Sequence, residues 1–116
     1  MKPEVKEGWL AALRSGEYLQ MCNGLSSSDG ASFCCLGVLC DLHAKAHGND
    51  WARSNLDTPF RTYLGTASIL PQQVMEWSGL THDLGWADEA NLTSLAGMND
   101  DGMSFKHIAD FIEVNL

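Results

Sequence analysis

The sequence predicts an α+β domain, mostly helical, in which a small antiparallel β-hairpin packs on a central buried helix. Three observations lead there. Apolar stripes at helical periodicity mark both ends of the chain. Between them lies a run too apolar for a surface helix, Cys34-Cys35-Leu36-Gly37-Val38-Leu39-Cys40. A length of 116 residues, 45% hydrophobic and 19% charged, suits a single domain over residues 1–116, with roughly two-thirds of its unfolded surface removed from water.

The first helix is expected from Pro3 to Ser15. Proline suits a first turn, Val5, Trp9, Leu10, Ala12 and Leu13 gather on one face, and Gly16 supplies a left-handed stop. Tyr18 to Leu25 reads as extended, and Ser26-Ser27-Ser28-Asp29-Gly30 as a turn, so a hairpin returning toward Phe33 follows; Asn23-Gly24 is a competing turn. The central helix is expected from Ser32 or Phe33 to His47. Cys35, Val38, Leu39, Leu42 and Ala46 share one arc, and Leu36, Cys40, His43 and His47 the next, which leaves Gly37, Asp41 and Lys45 toward water. Gly37 costs about 1 kcal/mol against alanine inside a helix, so its use there points to another backbone close by, with the first helix as candidate.

Residues 48–65 lack periodicity and read as a loop docked through Trp51, Phe60 and Tyr63. Pro71 opens a short helix that carries Val74 and Trp77 and ends at Gly79, with Leu80 closing the contact. Residues 82–90 read as irregular, Asn91 to Met98 as a short helix, and Asn99-Asp100-Asp101-Gly102 as a turn. Ser104 is placed to cap a last helix striped by Phe105, Ile108, Ala109, Phe111, Ile112 and Leu116.

Charge and cysteine usage exclude some classes of function. The net charge of −8 is spread along the chain, so no positive stripe exists to release counterions from duplex nucleic acid. Mimicry of DNA needs denser carboxylates than Asp83/Asp88/Glu89 and Asp100/Asp101 provide. No apolar run approaches the roughly 20 residues that cross a bilayer, and Met1-Lys2-Pro3-Glu4 does not begin a secretion signal. Cys22, Cys34, Cys35 and Cys40 are therefore expected as reduced thiols in a cytosol, packed as small hydrophobes. The Asn91-Leu92-Thr93 glycosylation triplet has no meaning without secretion.

Few constellations carry chemistry. Cys40, His43 and His47 project from one helical side and form the alternative zinc set, although the paired spacing of zinc fingers is missing. Cys34, near a helix start, is the best cysteine nucleophile, with His82 or His107 as base, although neither lies in a recognisable pattern. Asn99-Asp100-Asp101-Gly102 resembles the middle of a calcium loop but fails at both ends. Trp9 and Trp77 sit on apolar helical faces and read as core. Trp51 and Trp86 in loops, with Tyr63, Arg53 and Arg61, are the candidate contact residues for a ligand or partner.

Four stretches together carry a resemblance: Trp9 with Ala12-Leu13-Arg14-Ser15-Gly16-Glu17-Tyr18; Phe33-Cys34-Cys35-Leu36-Gly37-Val38-Leu39-Cys40-Asp41-Leu42; Leu70-Pro71 to Trp77 with Gly79-Leu80; and Met98-Asn99-Asp100-Asp101-Gly102-Met103-Ser104-Phe105 to Asp110. Over most of its length the chain resembles a family of small bacteriophage and prophage proteins. The resemblance brings no activity or catalytic residue with it; it implies an accessory protein acting in a bacterial cytosol. The expected role is non-catalytic binding that neutralises a host defence, through either a defence protein or a nucleotide signal. The alternative is a small cysteine- or zinc-dependent enzyme. No cofactor, duplex nucleic acid or membrane is expected as partner, and a homo-oligomer is compatible with the reading.

Overall fold

Two amphipathic helices and one buried nearly all round supply most of the core. In the computed structural model, which describes residues 1–53, 58–88, 90 and 92–116, helix α1 runs over Pro3–Arg14 and buries Val5, Trp9 and Leu13. Helix α2 runs over Cys35–His47, and every residue from Cys35 to Cys40 is buried. Helix α5, Phe105–Asn115, buries Phe105, Ile108, Ala109 and Ile112, with the Ser104 hydroxyl accepting from the His107 N–H at its start. Helix α1 packs against both α2 and α5. The Trp9 indole N–H donates to the Cys35 carbonyl at 3.0 Å, so the largest core side chain leaves no polar atom unpaired.

A stripe of buried residues that extends around the whole helix needs neighbours on all sides. Helices α3 (Gln72–Ser78) and α4 (Leu95–Asp100) also pack on α2. The remaining side is closed by backbone. A Cβ built on Gly37 would run into the Leu25 carbonyl oxygen, with the carbonyl carbon 2.7 Å away. Gly37 therefore does mark a close approach, but the neighbour is the Leu25 segment and not α1, and the expected exposure of Gly37 is corrected. The Leu25 backbone is held at both ends, its N–H donating to Ala67 and its carbonyl accepting from Cys34. Asp41 is likewise half-buried, not turned to water.

The expected hairpin between residues 18 and 33 is corrected. Strand β1, Leu19–Gln20, pairs with β2, Ser32–Phe33, in parallel, Leu19 opposite Ser32 and Gln20 opposite Phe33. The serine-rich turn does reverse the chain, because Ser27 N–H donates to the Ser32 carbonyl at 2.9 Å and Ser26 bridges Phe33 antiparallel. The segment before it is not one strand. Asn23 takes φ 73° and the next residue, Gly24, presses against the Phe60 ring, so the chain bends there and Leu19–Gln20 returns on the far side of β2.

Two antiparallel ribbons lie where loops and, at Thr93–Ser94, the start of a short helix were expected. Strands β3 (Ala52–Arg53) and β4 (Arg61–Thr62) pair within residues 48–65, and β5 (Ala87–Asp88) pairs with β6 (Thr93–Ser94). Two-residue strands offer too little alternation to read from sequence. The short helix expected from Asn91, a residue outside those described, starts at Leu95, where the Ser94 hydroxyl accepts from the Gly97 N–H. It continues through Asn99 and Asp100, where a turn was expected.

Asn99 explains that extension. Its side chain is fully buried and clasps two segments, residues 20–21 and the start of α2. The amide oxygen accepts from the Cys35 N–H at 3.1 Å and from the Gln20 amide at 3.0 Å, while the amide nitrogen donates to the Met21 carbonyl at 2.7 Å. One side chain thus satisfies a first-turn amide of α2 that has no partner within its own helix, and ties β1 to α4.

Candidate functional site

The β3–β4 ribbon sorts its side chains by alternation. Ala52 lies opposite Thr62 and Arg53 opposite Arg61; one residue further out, Trp51 and Tyr63 face each other with ring centroids 5.1 Å apart. Trp51, Arg53, Arg61 and Tyr63 therefore share one face of the ribbon. Four of the five contact candidates come together here. The fifth, Trp86, packs on Phe111 at 5.0 Å and belongs elsewhere.

The last turns of α2 form the opposing wall. The helix ends at Gly48, φ 68°, and the chain turns through Asn49 and Asp50 into the ribbon. Between helix and ribbon lies an open cleft of about 640 Å³, whose lining includes Asp41, Lys45, Asn49, Asp50, Trp51 and Arg61. Asp41 organises one side of it. Its carboxylate accepts from the Trp51 indole at 3.1 Å, from the Tyr18 hydroxyl at 2.7 Å, and from Lys45 at 3.2 Å, one helical turn on. Lys45 also donates to the Tyr18 hydroxyl, and these two contacts hold its pKa above the ordinary lysine value.

Arg61 is fixed differently. Its guanidinium lies 4.3 Å from the Trp51 ring centroid and 5.3 Å from that of Phe33, and Nε donates to the Ser26 hydroxyl at 2.9 Å. Burial pulls its pKa down from the ordinary value, with Asp41 and Asp29 opposing, and the group stays charged. Among the described residues, its two terminal amino groups donate to no protein acceptor and it forms no ion pair.

Behind Trp51 sits a second polar cluster. Asn49 donates to the Tyr63 hydroxyl at 3.2 Å, and that hydroxyl lies 2.6 Å from His43 Nδ1. Burial favours the neutral imidazole at His43, and the short contact joins it to the phenol through one shared proton. His47 stacks on it at 4.1 Å, its own Nδ1 directed at the His43 carbonyl, and both rings meet the edge of Trp77. The alternative metal set is not assembled here. Cys40 is buried, His43 is committed to Tyr63, and among the described residues no group of three or more His, Cys, Asp and Glu side chains converges on a common point.

Nor is a thiolate favoured. Burial pushes the Cys34 thiol up to about 11, and raises those of Cys35 and Cys40 well above the ordinary value. Cys34 acts as the N-cap of α2, its sulfur accepting from the Gly37 N–H at 3.4 Å. The proposed bases are engaged elsewhere, His107 with Ser104 and His82 through its Nδ1, which accepts from the Leu84 N–H. The arrangement can recognise and hold a ligand. None of these three buried thiols is an activated nucleophile.

Sequence reasoning missed Asp41, Lys45, Asn49 and Ser26 as parts of this site. Only the Asp41–Lys45 spacing of four gave a usable signal; the other contacts cross the chain. Among the described residues no helix is long and apolar enough to cross a membrane. No curated protein and no solved structure matches the chain. A family described as Domain of unknown function (DUF8296) matches residues 1–116, the whole of the chain, and the protein belongs to that family.

Proposed function

We propose that the chain is a bacteriophage accessory protein that acts by non-catalytic binding in the bacterial cytosol, neutralising a host defence through the cleft between α2 and the β3–β4 ribbon. The observation that supports this most directly is Arg61, held against Trp51 at an open cleft with its terminal amino groups lacking a protein acceptor among the described residues. A guanidinium fixed in place loses little conformational freedom when it engages a partner. The buried, protonated thiols argue against the cysteine-enzyme alternative.

The test compares two variants in a bacterium carrying a defence system that the wild-type chain suppresses. Arg61→Gln should lose suppression, and Cys34→Ser should retain it. Loss of suppression in a folded Cys34→Ser chain, with Arg61→Gln unaffected, would transfer the function to the thiol. Thermal unfolding with a panel of cyclic nucleotides separates the two kinds of partner, because a ligand at 100 times its dissociation constant adds about 2.7 kcal/mol. A shift assigns the cleft to a nucleotide signal; no shift, with suppression intact, assigns it to a defence protein.

A further inference from the structure

The two arginines of the ribbon are directly opposite each other, Arg53 against Arg61, so both guanidinium groups leave the same face. Like charges placed directly across an antiparallel pair destabilise it, and a protein this acidic has carboxylates enough to separate or neutralise them. Neither arginine forms an ion pair among the described residues. The two carboxylates whose charge acts on Arg61 are committed, Asp41 to Trp51, Tyr18 and Lys45, and Asp29 to the Ser27 hydroxyl and the Ala31 N–H; Asp50 also lines the cleft but forms no ion pair with either arginine. Gly30, at φ 75°, leaves the room that the Arg61 fork occupies, since a Cβ there would stand 3.1 Å from Nη1.

We propose that Arg53 and Arg61, with Lys45 across the cleft, bind a phosphate group of a small anionic ligand. The inference rests on reading the cleft as a binding site and names the chemistry it recognises. Each guanidinium presents a planar fork of donors, and a phosphate has enough oxygens to accept from two forks at once, whereas one carboxylate is satisfied by a single fork. An anion between the arginines also removes their mutual repulsion, and the stacking of Arg61 on Trp51 places an indole next to the bound charge.

The experiment titrates pyrophosphate into the full chain and follows the indole N–H resonances, with Trp51 assigned through Trp51→Phe. A saturable shift of the Trp51 signal is expected, weakening as salt is raised. Arg61→Gln should reduce affinity about tenfold or more, the loss expected for a charged hydrogen-bonding group. Arg53→Gln should reduce it by a smaller factor, and Lys106→Gln, on α5, should leave it unchanged. If Arg61→Gln fails to fold, Arg61→Lys keeps the charge but loses the fork and should still weaken binding. No saturable shift, equal losses in Lys106→Gln and Arg61→Gln, or succinate binding as tightly as pyrophosphate would each overturn the proposal. Suppression of a defence that still depends on Arg61 while pyrophosphate fails to bind removes the phosphate and leaves the broader reading standing.

Discussion

The two ends of helix α2 solve opposite problems with the same backbone. At the N-terminal end, Cys34 to Cys40 are sealed by apolar packing, by the Leu25 carbonyl against Gly37, and by Asn99 accepting from the Cys35 N–H. At the C-terminal end, Asp41, Lys45 and the turn at Gly48 face an open cleft across from the ribbon. The first end tolerates no added atom and keeps its thiols protonated. The second borders open space, with Lys45 exposed and Asp41 half-buried, and it is there that the proposed binding role is placed.

The sharpest way to break this contrast is Gly37→Ala. The added methyl meets rigid backbone and not a flexible side chain, so the cost should exceed about 3 kcal/mol, and thermal unfolding should show a lost or collapsed transition. Asn99→Leu comes next. It strands the Cys35 N–H and the Met21 carbonyl inside the protein and should cost about 2–4 kcal/mol in denaturant unfolding. If Asn99→Leu cost no more than an exposed substitution, the sealed end would not be held by this clasp.

The cleft end should respond to pH. Burial first, and then the neighbouring His47, lower the His43 pKa below 6.5. The unfolded chain therefore binds a proton that the folded chain resists. Stability from this residue is present above about pH 6.5 and is lost as pH falls through the lower folded pKa. Unfolding midpoints between pH 5 and 8 should show that decline, and His43→Gln should flatten it. The smallest expected effect returns to the sealed end. Cys34→Ser replaces one N-cap acceptor with a better one in a tight site, and stability should stay within about 1 kcal/mol of wild type.

What could be read from the sequence follows the range of the interactions. Helices α1, α2 and α5 declare themselves by apolar spacing, and the Ser104 cap and the stops at Gly16, Gly48 and Gly79 are local decisions of the backbone. The parallel pairing of Leu19–Gln20 with Ser32–Phe33 depends on a bend at Asn23 that Phe60 supports from far along the chain. Asn99 looked like a turn residue because its partners, Gln20, Met21 and Cys35, lie more than sixty positions away. The contact candidates Trp51, Arg53, Arg61 and Tyr63 could be named from residue type, but the ribbon that aligns them has two residues per strand and leaves no periodic trace.

The clasp made by Asn99 also sets an order of events during synthesis. Helix α2 emerges long before the acceptor for its Cys35 amide exists, and β1 waits for the same side chain. A nascent chain halted before residue 99 would hold the thiol-rich helix with its first turn unsatisfied, a poor state in which to commit to a fold. The last fifth of the protein therefore decides when the middle becomes native.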